Sequence, residues 1–119
     1  MSKVLVIDDS PTEIFQFKLM LEGLGHEVIT AENGQDGVAL AIREQPDLVL
    51  MDIVMPGMNG FHATRQICRG AKTQHIPVII VSSKDQETDK VWGERQGAKG
   101  YVTKPVDTTE LVAMMGPLL

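Results

Sequence analysis

The chain has 119 residues, a length that fits one domain. Acidic residues outnumber basic ones by 16 to 11, and the net charge of −5 disfavours non-specific binding to nucleic acid or anionic membranes. A single cysteine excludes an intramolecular disulfide, and there is no signal-peptide pattern and no apolar stretch of membrane-spanning length. We therefore expect a cytoplasmic protein without membrane insertion.

Five short apolar segments alternate with longer stretches in which apolar residues recur every three or four positions. In chain order the apolar segments are Val4–Ile7, Val28–Thr30, Leu48–Met51, Val78–Val81 and Tyr101–Thr103. Most are β-branched and nearly continuous, which is typical of strands buried on both faces of a parallel sheet. The stretches between them predict amphipathic helices.

Two polar segments predict helix starts. Ser-Pro-Thr-Glu, beginning at Ser10, predicts a capping box in which the Ser10 and Glu13 side chains each bond the other residue's backbone. Asp107 begins a second segment of the N-cap type. Gly116 and Pro117 predict that the last helix ends a few residues before the chain does.

This alternation predicts an α/β domain of the (βα)5 type. The commonest arrangement is a doubly wound, five-stranded parallel sheet of order 2-1-3-4-5, with right-handed crossovers and helices on both faces. In that order, a binding crevice lies at the carboxyl ends of strands one and three.

Polar residues follow four of the predicted strands at this edge. They are Asp8 and Asp9 after the first strand, Asp52 after the third, Ser82 and Ser83 at the fourth, and Lys104 after the fifth. Three neighbouring carboxylates repel one another unless a cation neutralises them, and an all-oxygen set suits Mg²⁺ or Mn²⁺. A lysine and a hydroxyl can hold phosphate oxygens. The set predicts phosphoryl transfer without a nucleotide site, because neither a P-loop nor a G-x-G-x-x-G motif occurs.

Ordered motifs along the whole chain resemble the receiver domain of two-component response regulators. They are Val6-Ile7-Asp8-Asp9-Ser10, the segment from Val49 through Asp52 and Pro56 to Gly60, Val81-Ser82-Ser83, and Tyr101-Val102-Thr103-Lys104-Pro105. The resemblance implies a flavodoxin-like domain that a histidine kinase phosphorylates on one aspartate from its phosphohistidine.

The resemblance also implies roles for individual residues. Asp52 would be the phosphoacceptor, and Lys104 would contact the phosphoryl group. Mg²⁺ would be bound by Asp9, Asp52 and the backbone carbonyl of Val54, with Asp8 assisting through water.

The remaining implied roles concern the signal. Ser82 would be the switch hydroxyl, Tyr101 the aromatic residue that follows it, and Pro105 would come after a cis peptide bond. A downstream protein would bind the face formed by the fourth helix, the fifth strand and the fifth helix.

Less diagnostic segments resemble the single-domain regulators of type IV pilus twitching motility. They are Ser-Pro-Thr-Glu at Ser10, Ala-Glu-Asn-Gly at Ala31 and the segment from Ser83 to Gly93. Since the chain ends at Leu119, soon after the predicted fifth helix, we expect one receiver domain over residues 1–119 without an output domain. Such a protein acts by binding a partner or as a phosphate sink, in pilus or chemotaxis-like signalling, rather than as an enzyme.

Two other functions compete with this interpretation. A small Mg²⁺-dependent phosphatase would also use Asp52 as a nucleophile, but it needs a cap over its substrate, and no insertion is long enough. A pseudo-receiver would bind partners without phosphorylation, which the intact acidic residues and Lys104 disfavour. A buried core position is the rival to the switch role of Tyr101. Trp92 could equally pack in the core or stand on a partner-facing surface, and Cys68 is expected to be a small buried hydrophobic residue.

Overall fold

A computed structural model of the chain describes residues 2–119 and has the predicted alternation of strands and helices. The strands are β1 (Lys3–Ile7), β2 (Glu27–Ala31), β3 (Leu48–Met51), β4 (Val78–Ser82) and β5 (Gly100–Thr103). The helices are α1 (Pro11–Gly23), α2 (Gly34–Glu44), α3 (Gly60–Arg69), α4 (Glu87–Arg95) and α5 (Thr108–Met115), followed by a 3₁₀ turn at Gly116–Leu118. No helix within residues 2–119 combines the length and the hydropathy needed to cross a membrane.

The five strands form one sheet of order β2-β1-β3-β4-β5, and every neighbouring pair is parallel. The predicted doubly wound topology is therefore confirmed. Ile7 of β1 pairs with Ala31 of β2 on one side and with Met51 of β3 on the other. Because these residues are level in the sheet, Asp8 and Asp52, each the next residue along, lie side by side at its carboxyl edge.

Apolar side chains fill both faces of the sheet. On one face, α1 and α5 pack Phe17, Leu21 and Leu111 against alternate residues of the strands. On the other face, α2 and α3 pack residues such as Ala41 and Ile67 against the intervening strand residues. The central strands β1, β3 and β4 are buried almost throughout, which explains why they read as apolar runs, whereas the edge strands β2 and β5 are only partly buried.

The caps at the starts of α1 and α5 agree with the predicted ones in all but one hydrogen bond. The Asp107 side chain accepts the backbone N–H groups of Thr109 and Glu110, and the Ser10 hydroxyl accepts the N–H of Glu13 at 3.3 Å. The second hydrogen bond of the predicted capping box, from the Ser10 N–H to the Glu13 side chain, is wrong. The Ser10 N–H instead donates to Asp8 Oδ1 at 2.9 Å, which leaves the Glu13 carboxylate free for another partner.

Candidate functional site

Three carboxylates meet at the carboxyl edge of the sheet. Asp8, Asp9 and Asp52 each offer an oxygen, and these oxygens all lie within 4.8 Å of one another. Backbone hydrogen bonds fix two of the residues, since the Asp8 N–H donates to the Ala31 carbonyl and the Asp52 N–H donates to the Ile7 carbonyl. Asp8 and Asp52 are buried and Asp9 is exposed. Residues 44 positions apart in sequence are therefore held in one acidic cluster by the sheet itself.

Lys104 reaches into this cluster from the end of β5. Its Nζ atom lies 3.0 Å from Asp8 Oδ2, 3.6 Å from Asp52 Oδ1 and 3.8 Å from Glu13 Oε2. Burial alone would lower the pKa of Lys104, but the hydrogen bond to Asp8 and the charge of Asp52 outweigh it and raise that pKa above its usual value. The ammonium group therefore remains charged and can attract a further anion.

The carboxyl group of Asp52 is costly to ionise in this setting. Burial is the main cause and raises its pKa from 3.8 to about 6, with the charges of Asp8 and Asp9 acting in the same direction and Lys104 opposing them. At neutral pH, above this pKa, the ionised form predominates. Because its charge is buried beside other carboxylates, a cation bound nearby would stabilise it.

The cluster fits a magnesium ion. Four carboxylates face one lysine when Glu13 is included, so the site carries an excess of negative charge that a divalent cation would reduce. The donors are all oxygens, which Mg²⁺ prefers, and they line an open cleft of about 490 Å³ together with Val54, Ser83 and Pro105. The predicted ligand Val54 thus borders the same cleft as the three carboxylates.

A glycine fixes the loop that carries Asp52 and Val54. The Gly60 N–H donates to the Ile53 carbonyl at 2.9 Å. A Cβ atom at Gly60 would overlap the carbonyl oxygen of Asp52 and come within 2.6 Å of the Ile53 Cα atom. Only glycine lets the start of α3 approach the loop after Asp52 this closely.

Ser82 and Tyr101 engage the same stretch of backbone. The buried Ser82 hydroxyl accepts the N–H of Lys84 at 3.2 Å, and the Tyr101 hydroxyl donates to the carbonyl of Lys84 at 2.6 Å. The backbone of Lys104 joins them, since its N–H donates to the Ser82 carbonyl. Ser83, rather than Ser82, lines the cleft. The peptide bond between Lys104 and Pro105 is cis.

Glu13 is the residue at this site that sequence reasoning missed. Its position three residues after Ser10 suggested only a capping role, whereas its carboxylate faces Lys104. A usable signal was present, because the first turn of a helix that follows β1 directly must lie beside the acidic residues at the end of β1.

Trp92 and Cys68 lie outside the cleft. Trp92 is 49 % exposed and its ring meets that of Phe61 edge to face, with centroids 6.5 Å apart, so it is not a core residue. Cys68 is half-buried rather than buried, and burial raises the pKa of its thiol.

Comparison with known proteins identifies this arrangement. Residues 4–116 match the family described as the response regulator receiver domain. The chain is 61 % identical over 119 residues to protein PilH of Pseudomonas aeruginosa. The match covers all of this chain and 98 % of PilH. It is 35 % identical over 117 residues to the response regulator PleD of Caulobacter vibrioides, a match covering 98 % of this chain but 26 % of PleD.

Solved structures agree with these matches. The chemotaxis protein CheY4 of Vibrio cholerae superposes with a TM-score of 0.92 at 28 % identity, covering 100 % of this chain and 99 % of that one. The receiver domain of the Francisella response regulator 1452 gives a TM-score of 0.90 at 30 % identity, with 99 % and 96 % covered. The chain belongs to the family of response regulator receiver domains.

Proposed function

We propose that this protein is a phosphorylation-dependent switch that accepts a phosphoryl group on Asp52 from the phosphohistidine of a histidine kinase. The observation that carries the proposal is the placement of Asp52. Its carboxylate lies in an open cleft, 3.6 Å from the Lys104 ammonium and within 4.8 Å of two further carboxylates. A carboxylate so placed has within reach both a cation for a phosphoryl oxygen and further carboxylates for a metal ion.

The transfer is an in-line displacement at phosphorus. An Asp52 carboxylate oxygen attacks, the new O–P bond forms, and the P–N bond breaks with its electron pair going to the imidazole nitrogen. Asp9, Asp52 and the Val54 carbonyl would hold Mg²⁺, with Asp8 assisting through water, and the ion would neutralise part of the phosphoryl charge. Lys104 holds a phosphoryl oxygen through a charge-assisted hydrogen bond.

The signal leaves the site through the backbone of Lys84. An aspartyl phosphate adds nearly two negative charges and three acceptor oxygens, which attract the Ser82 hydroxyl and Lys104. As the Ser82 hydroxyl turns toward the phosphoryl group, its Oγ atom moves relative to the Lys84 N–H that it accepts, and the carbonyl of Lys84 is the acceptor for the Tyr101 hydroxyl. A shift of this one residue frees Tyr101 to move and alters the face formed by α4, β5 and α5, which we propose as the surface for a downstream partner.

The likeness to PilH supports a narrower assignment. We propose that the protein is a single receiver domain over residues 1–119 that serves type IV pilus twitching or chemotaxis-like signalling in the cytoplasm, either by binding a partner or as a phosphate sink. It would promote its own phosphorylation and dephosphorylation without turning over another substrate. The single cysteine and the acidic net charge agree with this setting.

Intact-mass spectrometry after incubation with phosphoramidate and Mg²⁺ tests the proposal. One phosphoryl adduct should appear, and it should be absent in Asp52→Asn and in EDTA. The matched control is Asp85→Asn, which removes an exposed carboxylate of the β4–α4 loop and should label normally. Steady release of phosphate from p-nitrophenyl phosphate would support the phosphatase instead, and full absence of an adduct would support the pseudo-receiver.

A further inference from the structure

Positive charge collects on the outer surface of α3, although the protein as a whole is acidic. Arg65 and Arg69 are four residues apart, so they project from the same side of the helix, and Lys72 follows in the next turn of chain. All three side chains are exposed. We call these three residues, together with the exposed His62, the α3 basic surface.

The cations of the α3 basic surface have no anionic partner within the described residues 2–119. Ion pairs there engage Lys3, Arg43 and Lys104, but not Arg65, Arg69 or Lys72. Other exposed cations of residues 2–119 also lack an ion pair. What distinguishes Arg65, Arg69 and Lys72 is that all three line one groove whose lining contains no carboxylate, so that negative charge from outside the chain can meet them together.

A groove lies on each side of the α3 basic surface. The groove toward α2 has a volume of about 540 Å³, and the groove toward α4 has a volume of about 320 Å³. Arg65 and His62 line both grooves, and neither lining contains an aspartate or a glutamate. The two grooves and the ridge between them form one continuous surface without negative charge.

Exposed apolar side chains border the cations. Ile42 of α2 is 43 % exposed beside Arg69 in the first groove, and Trp92 of α4 is 49 % exposed beside Arg65 in the second. Large apolar groups next to arginine are the composition of protein-docking surfaces.

We infer that the α3 basic surface docks an acidic segment of a partner protein, one that carries glutamate or aspartate beside apolar residues. Charge complementarity selects this occupant. With a net charge of −5, the chain repels an acidic partner over most of its surface, so attraction at one patch fixes both the place and the orientation of binding. The surface shares no residue with the lining of the cleft at Asp52, so a docked segment would leave that cleft uncovered.

A synthetic peptide provides the test. The probe is an amphipathic helix with glutamates on one side and leucines on the other, and the readouts are the fluorescence of Trp92, the single tryptophan, and backbone amide shifts. We expect binding that shifts residues of α3, weakens with added salt and loses about tenfold or more in affinity in Arg65→Gln/Arg69→Gln/Lys72→Gln. Asp52→Asn should bind as the original chain does.

The matched control is Lys18→Gln/Lys90→Gln/Lys99→Gln, which changes the net charge equally at exposed lysines outside both grooves. It should retain binding, and thermal unfolding should show that both triple variants are folded. The inference would be overturned if the two triple variants lost affinity for the peptide equally, if the amide shifts fell outside α3, or if the peptide did not bind at all. Self-association of the chain that only the α3 triple abolishes would overturn it too, because the occupant would then be a second copy.

Discussion

The charge on Asp52 should destabilise the folded, metal-free protein, and replacing Asp52 by asparagine should make it more stable. The fold raises the pKa of this carboxyl group from 3.8 to about 6, chiefly by burial. Each pKa unit of difference between folded and unfolded protein corresponds to ~1.4 kcal/mol, so ionised Asp52 lowers the free energy of unfolding by about 3 kcal/mol above pH 6.

The destabilisation caused by ionised Asp52 should grow as the pH rises. Above the folded pKa, Asp52 is ionised in both states and the full cost applies. As the pH falls through that pKa, the folded state takes up a proton first and the cost declines, until it disappears below the unfolded pKa. Asparagine resembles the protonated acid, so Asp52→Asn should gain about 3 kcal/mol at pH 8 and roughly half of that at pH 5. Lys104 keeps its 3.0 Å partner Asp8 in the variant.

Urea unfolding in EDTA at the two pH values measures the effect. Asp85→Asn, at an exposed carboxylate, should change stability by less than about 0.5 kcal/mol. Added Mg²⁺ should narrow the difference, because the original chain binds the ion more tightly than Asp52→Asn does. An Asp52→Asn variant no more stable than the original at pH 8, or a gain independent of pH, would refute the electrostatic reasoning.

Three further predictions follow from the site. Asp9→Asn removes one ligand charge and should weaken Mg²⁺ affinity by roughly tenfold in titrations followed by amide shifts; unchanged affinity would remove Asp9 from the ligand set. In the presence of a beryllofluoride mimic of the phosphoryl group, Ser82→Ala should still bind the mimic but lose most of the amide shift changes in α4 and at Tyr101. Lys104→Ala should impair both the binding of the mimic and these shift changes. If Ser82→Ala keeps the shift changes of the original chain, its hydroxyl is not the relay. Gly60→Ala should cost about 2 kcal/mol or more in urea unfolding, since its Cβ meets backbone atoms that cannot rotate away, and a neutral effect would mean that the loop is adaptable.

The sheet and the acidic cluster were predictable because both follow from short-range patterns and one topological rule. Continuous apolar runs marked the strands, and the parallel order brought the residues after Ile7 and Met51 to the same edge. The strand bounds differ from the predicted segments by at most one residue at each end. The fold class therefore follows from burial on both faces of the sheet.

Features that depend on side-chain direction were not predictable in the same way. Glu13 has two partners within reach, the Ser10 backbone and the Lys104 ammonium, and the choice depends on Asp8 already accepting the Ser10 N–H. The meeting of Ser82 and Tyr101 at Lys84 likewise requires the path of the β4–α4 loop, which no periodicity encodes. The exposure of Trp92 depends on how α4 sits beside α3, a packing detail that spacing alone leaves open.

Locating the phosphoryl group within the chain decides whether Asp52 is the phosphoacceptor. Borohydride reduces an aspartyl phosphate to homoserine, so the protein is labelled with phosphoramidate and Mg²⁺, reduced, digested and sequenced by tandem mass spectrometry. We expect homoserine at position 52 and unmodified aspartate at positions 8 and 9. Homoserine at Asp8 or Asp9, or its absence from every peptide of a protein that had gained the phosphoryl mass, would rule out Asp52 as the acceptor.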